Sequence, residues 1–138
     1  MISLDSYKTF SEISINRKKY GYFDLKKIAK VFNFDLEEVP FTLKILLENL
    51  LRKEDGTSVT REMIDNFCKK IVRKNKKSLE IFFYPTRVLM QDFTGVPAIV
   101  DLAAMRQALK KRNINPKNIN PLIRVDLIID HSVTVDHF

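Results

Sequence analysis

Two short apolar runs in the second half of this chain end in residues able to do chemistry. Residues 87–90 lead into Gln91-Asp92, and residues 125–129 lead into Asp130-His131-Ser132. Histidine is the side chain most readily tuned to exchange a proton near neutrality, and a neighbouring carboxylate raises its pKa and holds it as an acid. His131 is therefore the candidate general acid, with Asp130 as its supporting carboxylate. Gln91 carries amide donors and an acceptor suited to gripping a carboxylate or a hydroxyl. Successive strand residues point to opposite faces, so Asp130 and His131 reach one pocket only where the strand has ended and the chain turns. The plainer alternative has His131 satisfying a turn and Asp130 capping the segment that follows, and the dipeptide alone does not separate the two. Asp92 and Thr94 equally fit a role in fixing the turn ahead of the next helix. His137 is assigned no role.

The elements that must position these residues form a strand, a helix and a second strand. Residues 87–90 and 125–129 have the uninterrupted apolar character of parallel strands buried on both faces. Pro97 fits the first turn of a helix, where its missing N–H costs nothing, and Ile99, Leu102, Ala103 and Leu109 would face the sheet. Residues 113–121 contain Pro116 and Pro121 among asparagines and read as a surface connector. Such a βαβ unit is right-handed in nearly all proteins and binds ligands at the carboxyl edge of its strands. That edge carries Gln91, Asp92, Asp130, His131 and Ser132. With three glycines in the whole chain, a Gly-rich phosphate turn is excluded.

The first half reads as a hairpin followed by helices. Ile13 and Ile15 alternate with polar residues, Asn16-Arg17-Lys18 supplies a turn, and Tyr20 and Tyr22 continue the pattern. Asp24 is a candidate N-cap for a short helix bearing Leu25, Ile28, Ala29 and Phe32. Leu43, Leu46, Leu47, Leu50 and Leu51 recur at helical spacing until Asp55-Gly56 supplies a stop. Thr60 caps a further helix whose apolar stripe is Ile64, Phe67, Cys68 and Ile71. Residues 79–84 read as a strand ending at Pro85. Cys68 lies within its stripe as a small hydrophobe.

At 138 residues, 45% hydrophobic and 30% charged, the chain has the size and composition of one globular α/β domain. Its 24 basic residues exceed 17 acidic ones, giving +7 and a pI near 9.5, which admits an anionic partner such as a polycarboxylate or nucleic acid. The basic residues are dispersed, and the one dense run, from Lys69-Lys70 to Lys76-Lys77, lacks interleaved aromatics for base stacking. A single cysteine excludes an internal disulfide and suits a reducing compartment. The start has no signal-like segment, and no apolar run reaches the roughly 20 residues needed to span a bilayer. The expectation is a cytoplasmic protein with no membrane partner.

Residues 40–52, 87–106, 119–121 and 125–136 together resemble the N-terminal region of the aconitate hydratase family, particularly the bacterial and cytosolic-type branch that includes an iron-responsive RNA-binding homologue. The resemblance runs from about Ile13 to the end. It implies a [4Fe-4S] enzyme that interconverts citrate and isocitrate through cis-aconitate by removing and re-adding water. It also implies a partial three-layer α/β/α domain with a parallel βαβ core, preceded by the hairpin and helices. Gln91 matches the family's substrate-binding glutamine. Asp130 and His131 match its Asp-His pair, in which the histidine protonates the departing hydroxyl and the aspartate supports it.

Family members are several times longer, and the resemblance implies that three cluster-ligating cysteines, substrate-gripping arginines and a serine base lie in later segments. A cubane cluster needs thiolates on three irons even when the fourth is open. The expectation is therefore that residues 1–138 form the N-terminal part of the first domain, hold no metal or cluster unaided, and act on a tricarboxylate only with a remainder polypeptide. The alternative is a non-catalytic remnant or a basic RNA-binding module of the same family. A homoaconitase or methylcitrate-pathway dehydratase is a further option, though residues 92–98 resemble aconitase proper more closely.

Overall fold

A computed structural model describes residues 3–73 and 78–137. Lys76 and Lys77, at the end of the basic run, therefore lie outside the described residues. The chain is a mixed α/β fold whose backbone divides into two compact units, Met1–Tyr84 and Pro85–Phe138.

The first unit opens with a hairpin of β1 (Phe10–Ile15) and β2 (Lys18–Phe23), paired antiparallel with Ile15 opposite Lys18. Asn16 and Arg17 both take positive φ, 49° and 64°, the backbone of the tight turn whose twist matches that of the flanking strands. Upstream, Asp5 accepts hydrogen bonds from the Thr9 and Phe10 amides and from the Thr9 hydroxyl. Helix α1 (Leu25–Phe32) begins at Asp24, whose side chain accepts from the Lys26 amide at 2.9 Å, and ends at Asn33 in the left-handed region. Helix α2 (Phe41–Lys53) stops just before Asp55, whose carboxylate accepts from the Thr57 and Val59 amides and turns the chain. Helix α3 (Arg61–Arg73) starts under the Thr60 hydroxyl, which accepts from the Met63 amide.

One apolar core joins these three helices: Ile28 from α1, Leu47, Leu50 and Leu51 from α2, Val59 from the turn, and Ile64, Phe67 and Cys68 from α3. Burying a side chain of this size is worth about 1.5–3 kcal/mol. The leucine spacing of α2 and the stripe of α3 thus meet as their periodicity predicts. Asn49 lies on α2 as a buried amide. Its nitrogen donates to the Tyr84 carbonyl at 2.8 Å and its oxygen accepts from the Tyr84 amide at 3.0 Å. Residues 79–84, expected as a strand, form no regular element. A single side chain takes both backbone groups of Tyr84, so that end of the segment is tied down without a partner strand.

The second unit is the expected βαβ. Strand β3 (Arg87–Gln91) pairs parallel with β4 (Arg124–Ile128), Val88 opposite Val125 and Gln91 opposite Ile128. Helix α4 (Asp92–Lys111) and a 3-10 turn at Pro116–Asn118 connect them. At the amino end of the sheet, Asp126 accepts from the guanidinium groups of both Arg87 and Arg124. Arg106 of α4 binds the Ile119 carbonyl at 2.9 Å and the Asn120 side chain, fastening the connector to the helix.

Three expectations need correction here. Pro97 is not in the first turn: α4 begins five residues earlier, because Gln91 accepts the Phe93 amide at 3.0 Å and starts the helix directly from the strand end. The two strands are not buried on both faces. Leu89 is 61% exposed and Ile128 48%, since α4 packs against one side only, where Gly95 lies under Met90 and Leu127. Finally, Leu102 and Leu109 are half-buried as expected, whereas Ile99 and Ala103 are exposed. A helix of 20 residues runs about 30 Å, more than a two-stranded sheet of five-residue strands can cover.

Candidate active site

Parallel pairing of β3 and β4 brings their carboxyl ends to one edge, with Gln91 beside Ile128 in the register. Asp92 follows Gln91 directly and His131 lies three residues beyond Ile128. Across that edge His131 Nε2 meets Asp92 Oδ2 at 2.6 Å. His131 Nδ1 lies 2.8 Å from the Ser132 carbonyl oxygen. A carbonyl and a carboxylate only accept, so each ring nitrogen needs a proton to satisfy its partner, and this cradle favours the imidazolium. The Ser132 carbonyl and then the Asp92 carboxylate hold the His131 pKa above its ordinary value.

Asp92 is the first residue of α4, where the amino-terminal dipole favours a carboxylate. The hydrogen bond from His131 holds its pKa below the usual carboxylate range. Its second oxygen, Oδ1, is buried with no hydrogen-bond partner. The side chain of His131 is 57% exposed against 25% for Asp92, so the imidazole stands open to solvent over a more enclosed carboxylate.

The candidate residues thus occupy distinct places. Gln91 ends β3 and caps α4 through its Oε1, leaving its amide nitrogen as the donor group. His131 lies at the same edge through its contact with Asp92. Asp130 is exposed beside it in the chain and forms no hydrogen bond or ion pair among the described residues. The carboxylate in contact with His131 is Asp92, which the sequence places at this same edge with turn-fixing as an equal option. Its pairing with the imidazole was the part not read, because it depends on the β3–β4 register rather than on adjacent residues.

Cys68 is remote from chemistry. It is buried in the core of the first unit, and desolvation, with the nearby Asp65 charge, pushes its thiol pKa up to about 12. Such a thiol stays protonated at neutral pH. Among the described residues no three His, Cys, Asp or Glu side chains are grouped to hold a metal ion, and no helix is long and apolar enough to cross a membrane.

Comparison with known proteins bears directly on this arrangement. A family model described as the aconitase family (aconitate hydratase) matches residues 62–138, a span containing both strands and every residue of the edge. Aconitate hydratase A of Pseudomonas aeruginosa is 50% identical over 138 residues, which is 100% of this chain and 15% of the relative. The aconitate hydratase A of Rickettsia typhi is 46% identical over 138 residues, with the same shares. That of Thermus thermophilus is 42% identical over 134 residues, 97% of this chain and 15% of the relative. The chain spans about 15% of the length of these curated relatives and corresponds to their N-terminal part. With more than half of its residues inside the family model and its whole length aligned to such relatives, this chain belongs to the aconitase family.

Proposed function

We propose that this chain is the segment of an aconitate hydratase that grips substrate and donates the proton, in an enzyme that isomerises citrate to isocitrate through cis-aconitate by dehydration and rehydration. The observation that carries the reading is the His131 ring, cradled by two acceptors at the carboxyl edge of a parallel pair and still exposed. An imidazolium there can protonate a departing hydroxyl so that it leaves as water. The neutral imidazole then takes a proton back as water adds. A group in this role contributes about 10²–10⁴-fold to rate.

Gln91 is proposed to bind the tricarboxylate through its amide nitrogen, since its oxygen is already committed to the Phe93 amide. Asp130, exposed and adjacent to His131, is proposed to accept the substrate hydroxyl and orient it towards the ring. The net charge of +7 favours approach of a polyanion.

Aconitate hydratases are [4Fe-4S] enzymes, and the residues of this chain do not by themselves fit such a cluster. They offer one thiol, buried and protonated, where three thiolates are needed. The cluster ligands of the proposed enzyme therefore come from outside these residues, and the chain alone is proposed to be inactive. A single cysteine suits the reducing cytoplasm, where we place the enzyme. The RNA-binding alternative has no separate observation in its favour.

The test combines this chain with a polypeptide carrying the remaining family segments, including the three cysteines, and follows cis-aconitate formation after cluster reconstitution. Activity that requires both polypeptides supports the reading. Stable association with a loaded cluster and no activity contradicts it.

A further inference from the structure

Capping of α4 does not use the Asp92 side chain. The start of α4 is capped by Gln91 Oε1 on the Phe93 amide, and the Thr94 hydroxyl donates back to the Gln91 carbonyl at 3.1 Å. Asp92 nevertheless presents a carboxylate with one oxygen buried and unpartnered and the other 2.6 Å from His131 Nε2. A buried carboxylate oxygen without a partner is costly. The Asp92 and Phe93 amides also act on this carboxylate, but the hydrogen bond from His131 is the largest influence on it.

We propose that Asp92 is the positioning residue for His131: it grips Nε2, fixes the plane of the ring at the sheet edge, and holds the imidazolium, leaving Nδ1 as the nitrogen that gives up its proton when the Ser132 carbonyl contact opens. This deepens, and rests on, the reading of His131 as proton donor. A carboxylate on one ring nitrogen orienting the other for transfer is sound acid–base design, because it fixes both protonation and direction without touching the reactant. The ionisable side chain in contact with His131 among the described residues is Asp92. Asp130 adjoins it in the chain. The α4 amino terminus adds a partial positive charge that acts on Asp92 first, and the Arg87, Arg124 and Asp126 cluster begins at the other end of the strands.

The chain contains two histidines, so a ¹⁵N-imidazole NMR titration resolves His131 cleanly. In the unmodified chain, the Asp92 carboxyl carbon should shift in step with the His131 imidazole. In Asp92→Asn the His131 midpoint should fall below that of the unmodified chain, whereas Asp92→Glu should retain part of the elevation. In the enzyme completed by the remaining segments, Asp92→Asn should lower kcat at least tenfold at pH 8 and move the alkaline limb of its pH profile to lower pH, with KM changed less than threefold. Unchanged His131 titration in Asp92→Asn, with β3 and β4 amide shifts retained, overturns the proposal. If Asp92→Asn does not fold, an Asp92 carbon insensitive to the His131 titration in the unmodified chain overturns it equally. A coupled pair in a completed enzyme indifferent to His131→Ala would instead overturn the proton-donor reading while leaving the pairing intact.

Discussion

His131 Nε2 lies 2.6 Å from Asp92 Oδ2, a contact between residues 39 positions apart that ties the end of one parallel strand to the end of the other. Its pH dependence follows from two opposite shifts. His131 is raised above 6.5, by the Ser132 carbonyl first and Asp92 second, so its stabilisation is complete below about pH 6.5 and is lost as pH rises through the folded-state value. Asp92 is lowered below 3.8, chiefly by the hydrogen bond from His131, so its stabilisation is present above about pH 4 and is lost as pH falls through the folded-state value. The stability difference between the unmodified chain and Asp92→Asn should therefore peak between about pH 4 and 6.5 and shrink on either side. Urea titrations read from β3 and β4 amide signals check this, and a difference unchanged from pH 5 to 9 contradicts it.

Leu50 is fully buried where α2 meets the core of the first unit. Leu50→Ala should destabilise that unit by about 2–5 kcal/mol, the transfer loss plus the cavity left behind. Leu89→Ala, on the exposed face of β3, should cost less than about 1 kcal/mol. Chemical denaturation measures both, and equal costs would place the core elsewhere.

Asn49 makes two hydrogen bonds to the backbone of Tyr84, 35 residues away. Asn49→Ala leaves the Tyr84 amide and carbonyl without that partner, at about 1–3 kcal/mol. Hydrogen exchange should show the Tyr84 amide losing protection before the α2 amides do.

Gly95 lies against β4 so closely that an added Cβ would stand 2.5 Å from Leu127 Cδ1 and 3.0 Å from its Cγ. Gly95→Val should cost the second unit about 1–3 kcal/mol through overpacking. Leu127→Ala should recover part of that loss. A double-mutant cycle on NMR-detected unfolding gives the coupling, and strictly additive effects would mean that α4 does not pack on β4 at this point.

Much of the fold was legible because its signals are local. The Asp24 and Thr60 caps, the Asn16-Arg17 turn, the leucine spacing of α2 and the parallel pair around α4 each follow from a few adjacent residues. The misreadings came where a distant group decided the outcome. Residues 79–84 carry Ile81, Phe82 and Phe83 like a strand, yet Asn49 takes the backbone groups of Tyr84. Pro97 marks a first turn by its chemistry, yet the Gln91 cap started the helix earlier. The strands looked buried on both faces because their composition says so, while within this chain one face is covered by α4 and the other is open. The edge residues were legible as a set, but the partner of His131 was not. Asp130 adjoins it in sequence, whereas the register β3 to β4 delivers Asp92.

Proton donation by His131 is tested most directly by kcat of the completed enzyme carrying His131→Ala. With association and cluster content matched to the unmodified protein, kcat for cis-aconitate formation should fall at least about 100-fold, with KM little changed. A variant that turns over at the unmodified rate would contradict it.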